Sequence, residues 1–259
     1  MAKTAETLKK ISEKLHLPLI YKSSFQKDNR SSVHYYDGPG LEKGLETLSK
    51  IKKEFSLPIL TDVHYPEQIK SCTEVVDVIQ IPAYLCMQTT LVVAAAKTGK
   101  VVNIKHGQFL APENMSKPAQ KVVDSGNEKI ILTERGYTFG YNDLIVDPRS
   151  FYHLHQTGYP VVFDITHSIR KYGIPSADPK GGAREFLPTI ARAGVAAGVD
   201  GRHRRLFRRQ DLGAAQAGRD DQPGQDLGGR LDRPDWRGPA GPGLGGGGAL
   251  GRRCRHEPV

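Results

Sequence analysis

Short apolar runs alternate with helical patterns through the first 200 residues of the chain. Leu8, Ile11 and Leu15 recur at helical spacing, and Pro18 then ends this first helix. Six runs read as strands, namely Leu19–Tyr21, Pro58–Thr61, Val75–Ile81, Val101–Lys105, Lys129–Thr133 and Val161–Ile165. The helical stretches that separate or follow them are Leu41–Phe55, Glu67–Thr73, Gln88–Lys97, Pro112–Val123, Pro148–His155 and Arg184–Ala197. This repeated order of strand and helix predicts an α/β protein with a parallel sheet.

The number of strands favours an incomplete barrel. A closed (β/α)8 TIM-type barrel needs eight strands, and only six are visible. The chain starts in a helix, and the pattern is lost at Val199-Asp200-Gly201, where another strand is due. Over residues 1–201 we therefore expect an α/β barrel that lacks its first and last strands. An open doubly wound sheet is the alternative that the strand pattern leaves open.

Residues 202–259 differ in composition from the residues before them. All 19 lysines lie within residues 1–200, whereas 12 of the 18 arginines follow residue 200, and no isoleucine does. Few aliphatic residues and abundant glycine, including Gly245–Gly248, predict a disordered Gly/Arg-rich tail. Out-of-frame translation of a GC-rich gene explains the abrupt boundary, because such codons yield Arg, Gly, Ala and Pro.

Charge and composition narrow the partners. The net charge of +9 points to an anionic partner. The tail offers only Phe207 and Trp236 for stacking on bases, which argues against nucleic-acid binding. No apolar run reaches about 18 residues and the N-terminus lacks an apolar signal region, so we expect no membrane span. The widely spaced Cys72, Cys86 and Cys254 predict a reducing, cytoplasmic location, with the first two as small buried side chains.

Polar or charged side chains stand at or just past all six predicted strand ends. They are Lys22, Asp62, Gln80, Lys105, Arg135 and His167. The carboxyl ends of parallel strands meet at one edge of the sheet, where ligands bind. Because Arg and Lys are the usual phosphate-binding side chains, the three cations in this set predict a site for an anion. His167 alone is compatible with either a structural role or a metal ligand.

The loop after the first predicted strand adds to this picture. Residues 22–32 contain three cations together with hydroxyl and amide side chains. The residues concerned are Lys22, Ser24, Lys27, Asn29, Arg30 and Ser31. This composition suits a phosphorylated ligand, although taken alone it also suits a solvated basic loop.

Several motifs, in this order, closely resemble the 3-deoxy-D-manno-octulosonate 8-phosphate synthases. They are Lys22–Ser32, Thr61–His64, Val76–Ala83, Asn103–Lys105, Glu134–Gly136, Phe139–Tyr141 and Phe163–Ser168. The resemblance covers residues 4–201 nearly without gaps. Related synthases that use erythrose 4-phosphate share the barrel but carry a different loop where this chain has residues 27–32.

The resemblance implies a reaction and an assembly. Phosphoenolpyruvate would condense with D-arabinose 5-phosphate to give 3-deoxy-D-manno-octulosonate 8-phosphate and phosphate, for lipopolysaccharide biosynthesis. The enolpyruvate C3 would attack the sugar aldehyde, water would add at C2, and phosphate would leave by C–O cleavage. The family suggests a cytoplasmic homotetramer.

The resemblance also implies roles for individual residues. The implied catalytic residues are Lys27, Asp62, Lys105 and His167. The implied substrate-binding residues are Lys22, Ser24, Asn29, Arg30, Ser31, Gln80, Ala83 and Arg135. Phosphoenolpyruvate would bind Lys105, Arg135 and Lys27, whereas the sugar phosphate would bind the loop at residues 29–31, with Asp62 on its hydroxyls.

Some members of this family use a divalent metal, and Gly107–Pro112 and Leu132–Gly136 resemble those members. His167 is the one implied ligand of four that this chain retains. Met87 and Thr90 stand where the family usually has Arg and Asp, and His106 stands where Lys is common. That arginine is expected to reach a neighbouring subunit's site.

Three hypotheses follow for the chain. It is the carbon–carbon bond-forming enzyme, or an inactive and aggregation-prone product of a damaged gene, or a phosphate-binding protein whose tail contacts nucleic acid. Recovery of an apolar strand and a Glu-containing loop from another reading frame would exclude the third.

Overall fold

The computed structural model describes residues 1–30, 32–139, 143–171, 174 and 178–203. Ser31, Gly140, Tyr141 and the tail from residue 204 onward lie outside these described residues, so the expectations about them stay predictions. Within the described ranges, no helix is both long and apolar enough to span a membrane.

Helices and strands alternate along the chain, as the apolar pattern predicts. The α-helices are α1 (Ala2–Leu15), α2 (Leu41–Phe55), α3 (Glu67–Val75), α4 (Thr89–Ala96), α5 (Ser116–Asp124), α6 (Arg149–His155), α7 (Ile165–Ser168) and α8 (Leu187–Ala196). The strands are β1 (Tyr21–Lys22), β2 (Ile59–Asp62), β3 (Val78–Ile81), β4 (Val101–Lys105), β5 (Ile130–Glu134), β6 (Tyr137–Thr138), β7 (Leu144–Ile145), β8 (Val161–Asp164) and β9 (Gly201–His203). Short 3₁₀ turns cover Ala83–Leu85, Pro112–Met115, Pro179–Gly181 and Arg184–Phe186.

Seven strands form one parallel sheet in the order β1-β2-β3-β4-β5-β8-β9, and β6 and β7 form a separate antiparallel hairpin. Strand order follows chain order, with helices between most neighbours, so the sheet is a partial (β/α) barrel rather than a doubly wound sheet. Among the described strands, β1 and β9 each have one neighbour. The predicted architecture of an incomplete barrel is confirmed.

The seventh strand, β9, differs from the sequence-based expectation of six. Gly201 pairs with Val162 and His203 with Asp164, so the sheet continues two residues past the predicted boundary at residue 201. Backbone pairing requires no apolar side chain, which is why the hydrophobic pattern missed this strand. Asp200 precedes it and holds β8 twice: its amide donates to the Val161 carbonyl at 2.9 Å, and its carboxylate accepts the Val161 amide at 2.8 Å.

The strands are buried on both faces. All four residues of β2 and all four of β3 are buried, and β4, β5 and β8 are nearly so. Strands covered on both sides read as continuous apolar runs, which explains why sequence located them. Leu45, Leu48 and Ile51 of α2 contribute to the same core. Cys72 and Cys86 are buried free thiols, as predicted.

The loop after β1 is folded against α2. Phe25 is fully buried and packs on Gly44 of α2, where a Cβ atom would come within 2.2 Å of the Phe25 Cβ. The loop also closes on itself, since the Lys27 amide donates to the Asp37 carbonyl at 2.6 Å and the Gly40 amide to the Phe25 carbonyl at 3.2 Å. The candidate sugar-phosphate loop is thus anchored at both ends.

Candidate active site

Lys22 and Asp62 form the first charged pair at the carboxyl edge of the sheet. They end the neighbouring strands β1 and β2, and Lys22 Nζ lies 3.2 Å from Asp62 Oδ1 and donates to Ser24 Oγ at 2.7 Å. Burial alone would raise the pKa of Asp62, but the charge of Lys22 and the hydroxyl of Ser24 outweigh burial and lower that pKa to about 2. Asp62 is therefore an anion at neutral pH, available to accept hydrogen bonds.

Lys105, Asp164 and His167 form a second charged group. Lys105 ends β4, and its ammonium is in direct contact with the Asp164 carboxylate, which ends β8. His167 Nδ1 lies 2.7 Å from the same carboxylate oxygen and 3.4 Å from the Lys105 ammonium. Burial lowers the pKa of Lys105 against the opposing effect of Asp164, and the charges of Arg135 and Lys22 lower that pKa further. Lys22, Lys105 and Arg135 thus lie close enough for their charges to act on one another, and we call the edge of the sheet that they share the cleft.

His167 is held neutral. The Asp164 charge raises the pKa of His167, but the Lys105 charge and burial outweigh that effect and bring the pKa to about 3. The His167 amide also donates to Asp164 Oδ1 at 3.1 Å, so one carboxylate fixes both the ring and its backbone. A neutral imidazole at this position can accept a hydrogen bond, and thereby orient its donor, without adding a charge to the site.

Arg135 follows β5 and is 5% exposed. Its backbone amide donates to Glu134 Oε1 at 2.7 Å, and the Gly136 amide donates to the same oxygen at 2.6 Å. Gly136 has a φ of 92°, a left-handed conformation that favours glycine. The turn that carries Arg135 is therefore fixed by the preceding carboxylate.

Buried polar side chains line the strands beneath the charges. Asn103 Nδ2 donates to Gln80 Oε1 at 3.2 Å, and Thr133 Oγ1 donates to Asn103 Oδ1 at 2.6 Å. Gln80 is thus tied to β4 and β5. Ala83 begins the turn after β3, and its carbonyl lies against Gly107, where a Cβ atom would approach it to 3.1 Å.

The loop of residues 22–30 is joined to the loop after β2. Gln68 Nε2 donates to Gln26 Oε1 at 2.9 Å, and the Tyr65 hydroxyl donates to Asp28 at 2.5 Å. Arg30 binds within its own loop, donating to the Tyr35 carbonyl at 2.7 Å and lying 3.5 Å from an Asp37 oxygen. Asn29 is exposed and Lys27 half-buried, while Ser31 lies outside the described residues.

The structure brings six of the twelve predicted site residues into contact or charge interaction at one edge of the sheet. The residues in contact or in charge interaction there are Lys22, Ser24, Asp62, Lys105, Arg135 and His167. Sequence reasoning did not assign roles to Asp164 and Glu134. For Asp164 a signal was present, because the buried Lys105 needs a buried carboxylate and Asp164 ends a buried strand. Glu134 contacts the His106 side chain, which strand ends alone do not indicate.

The described residues do not form a metal site. Within the described part of the chain, no three His, Cys, Asp or Glu side chains are placed to hold an ion together. His167 Nδ1 faces the Asp164 carboxylate and the Lys105 ammonium, and Asp164 is the one acidic side chain recorded in contact with the ring among the described residues. No chemical step is therefore assigned to a metal.

The fold and site define the class: a partial parallel (β/α) barrel with a cationic cleft at the carboxyl ends of its strands. Residues 1–204 match the DAHP synthetase I family. A 2-dehydro-3-deoxyphosphooctonate aldolase of Trichlorobacter lovleyi is 55% identical over 197 residues, which are 76% of this chain and 72% of the relative. Proteins of the same name from Pelobacter propionicus and Acidithiobacillus ferrooxidans are 54% and 52% identical, covering 76% and 77% of this chain and 72% and 70% of their own lengths.

The chain belongs to the DAHP synthetase I family and, within it, groups with the 2-dehydro-3-deoxyphosphooctonate aldolases, which are the 3-deoxy-D-manno-octulosonate 8-phosphate synthases of the resemblance. The predicted family is confirmed.

Proposed function

We propose that the chain condenses phosphoenolpyruvate with D-arabinose 5-phosphate, as a transferase that forms 3-deoxy-D-manno-octulosonate 8-phosphate and inorganic phosphate. The family and the names of the relatives support this assignment. The observation that carries it is the convergence of Lys22, Lys105 and Arg135 on one cleft, where each cation is at least half-buried. Such a cleft suits a ligand with both a phosphate and a carboxylate.

Each side chain has a chemical task in this proposal. Lys105 and Arg135 bind the phosphate and carboxylate of phosphoenolpyruvate, and their charges stabilise the phosphate as it leaves. Asp62, anionic at neutral pH, accepts hydrogen bonds from hydroxyls of the pentose. Asp164 holds the Lys105 ammonium in place and keeps His167 in one orientation.

The bond changes balance with water as the third reactant. C3 of phosphoenolpyruvate forms a bond to the aldehyde carbon of the sugar, and the aldehyde oxygen takes up a proton. Water adds at C2 and supplies the proton that the aldehyde oxygen takes up. The C2–O bond to phosphate then breaks, phosphate carries away the electron pair, and the new C2 hydroxyl passes its remaining proton to the phosphate as the C2 carbonyl forms. The product is then a 2-keto acid that retains the sugar phosphate.

The proposal extends to the setting of the enzyme. We assign it to the cytoplasm, in lipopolysaccharide biosynthesis, and to a homotetramer. We also propose that the loop at residues 27–32 binds the phosphorylated sugar. We do not assign nucleic-acid binding to the tail.

The test is a coupled measurement of phosphate release and octulosonate product with the 259-residue chain. Arabinose 5-phosphate should support turnover, and erythrose 4-phosphate, offered as the matched control aldehyde, should not. Phosphate release that needs no aldehyde, or equal rates with both sugars, would contradict the assignment.

A further inference from the structure

His106 and Glu134 form a fully buried pair next to two of the residues in the cleft. His106 follows Lys105 directly, Glu134 precedes Arg135 directly, and both side chains of the pair are 0% exposed. Their strands β4 and β5 are neighbours, and the His106 amide donates to the Thr133 carbonyl at 2.8 Å. The pair therefore lies behind Lys105 and Arg135, away from solvent.

Both ring nitrogens of His106 face oxygen acceptors. Nδ1 lies 2.9 Å from Glu134 Oε2, and Nε2 lies 2.7 Å from the carbonyl oxygen of Leu110. A carbonyl oxygen can only accept, so Nε2 must carry a proton. If Glu134 is a carboxylate, Nδ1 must carry one as well, and the ring is then an imidazolium.

The surroundings of Glu134 favour the carboxylate. Its second oxygen, Oε1, already accepts the Arg135 and Gly136 amides at 2.7 and 2.6 Å. Burial acts to raise the pKa of Glu134, whereas the Gly136 amide lowers it, and two amide donors on one carboxylate oxygen favour the charged form. The Tyr137 ring packs edge-on against the His106 ring, with 4.8 Å between the centroids. Burial and the charge of Glu134 raise the pKa of the Tyr137 phenol, so Tyr137 stays neutral.

The pair connects three pieces of backbone. Through Oε1 it fixes the amides of Arg135 and Gly136, and through Nε2 it fixes the carbonyl of Leu110 at the end of the turn that follows Lys105. That turn is joined to the hairpin by the Thr138 amide, which donates to the Gln108 carbonyl at 3.0 Å. The His106–Glu134 pair thus holds the main chain on either side of Lys105 and Arg135 in place.

We propose that His106 is a buried imidazolium and that, with Glu134, it is a positioning residue for the phosphoenolpyruvate-binding cations. The protonated state of His106 is inferred from its hydrogen-bond geometry together with the charge of Glu134, whereas the positioning role rests on the function proposed above. Neither side chain touches a ligand; each acts through the backbone it holds.

The protonation state is tested by imidazole-nitrogen NMR on the full chain at about pH 8, where an ordinary histidine is mostly neutral. Two ring N–H signals are expected for His106. Glu134→Gln offers a matched variant, because its amide can accept the backbone N–H groups and donate to Nδ1, leaving a single N–H at Nε2. One ring N–H in the unaltered chain would overturn the proposal.

The positioning role is tested by titrating phosphoenolpyruvate against His106→Gln and His106→Lys. The glutamine cannot donate to both acceptors, so affinity should fall about tenfold, with the KM for the pentose unchanged. The lysine keeps the charge and its donors and should recover part of the loss. Glu46→Gln removes an exposed ion pair with Lys50 and should change neither affinity nor ring protonation.

The outcomes separate the two proposals. Equal affinity in His106→Gln and the unaltered chain, or a matching loss for both substrates, would contradict the positioning role. Two ring N–H signals in a chain that binds no phosphoenolpyruvate would confirm the imidazolium and refute the proposed function.

Discussion

At the scale of single residues, two lysines of the cleft each pair with a carboxylate that belongs to another strand. Lys22 pairs with Asp62, and Lys105 pairs with Asp164, which lies on β8. Charges removed from water are tolerated when paired and hydrogen-bonded. The pairs also fix where each ammonium points, which is what a binding site for a small anion requires.

The two ligands should be separable by single substitutions. Lys105→Ala should weaken phosphoenolpyruvate binding at least about tenfold and abolish turnover, because a buried charge-assisted contact contributes about 2–3 kcal/mol. Arg30→Ala should spare phosphoenolpyruvate and impair the pentose phosphate. Isothermal titration of each ligand separately measures both effects.

Lys50→Ala serves as the control, since Lys50 is exposed and pairs only with Glu46 in the described structure. Near-normal kinetics in Lys105→Ala would refute the assigned site. An Arg30 variant that loses phosphoenolpyruvate and keeps the pentose would mean that the two subsites are exchanged.

Asp62 should make the fold sensitive to acid. Its folded-state pKa of about 2 lies below the ordinary value of 3.8, so the carboxylate stabilises the fold above 3.8. That stabilisation is lost as the pH falls through 3.8 towards 2, and amounts to about 2 kcal/mol. Urea unfolding would give the free energy of unfolding of the unaltered chain and of Asp62→Asn at a series of pH values from about 5 downward. Plotted against pH, the two free energies should converge in acid. Parallel curves would show that Asp62 carries no such shift.

The sequence identified individual site residues better than the side chains that support them. Lys22, Asp62, Lys105 and Arg135 are recognisable because a strand end marks each one. Asp164 and the His106–Glu134 pair depend on contacts between strands 28 or more residues apart in sequence. Periodicity carries no information on such distances, so the supporting residues became visible only in three dimensions.

At the scale of elements, the boundaries follow from burial and backbone geometry. Strands with both faces covered, such as β3 and β4, were predicted within three residues at each end. The four-residue helix α7 and the hairpin of β6 and β7 were not predicted, because elements so short contain too few residues for a period. Strand β9 was missed because its contribution is backbone pairing alone.

Helix α2 carries a glycine whose role is close approach. Alanine normally stabilises a helix interior relative to glycine by about 1 kcal/mol. In Gly44→Ala, however, the added Cβ would lie 2.2 Å from Phe25 Cβ and 3.0 Å from Phe25 Cα, neither of which a rotamer change can move. We therefore expect net destabilisation of about 1–3 kcal/mol by chemical denaturation, with a weaker affinity for the pentose because Phe25 anchors the loop.

Gly182→Ala is the matched control. Gly182 is extended, with φ of −141°, and a Cβ there meets nothing within 4 Å. Its stability should change by less than about 0.5 kcal/mol. Equal effects at the two positions, or a stabilised Gly44→Ala, would show that helix propensity outweighs the contact with Phe25.

At the scale of the whole molecule, the described sheet does not close. Strands β1 and β9 end the sheet order, and each has a single strand neighbour among the described residues. Unpaired strand edges and uncovered apolar side chains favour association between molecules. Four apolar side chains that precede β1 in sequence are also exposed: Ile11, Leu15, Leu17 and Ile20 are each more than 40% accessible.

These residues should make the chain associate. Ile11 and Leu15 are one helical turn apart on α1, and Leu15 is 55% exposed. Leu15→Lys should shift light-scattering masses to smaller species at a given concentration, since a charged side chain opposes burial of this face. Tyr152→Lys replaces a side chain that is 61% exposed on α6 and should leave association unchanged. If Leu15→Lys associates as strongly as the unaltered chain, or Tyr152→Lys dissociates it equally, the contact does not run through α1, and the exposed apolar residues beside β1 are not the cause of association.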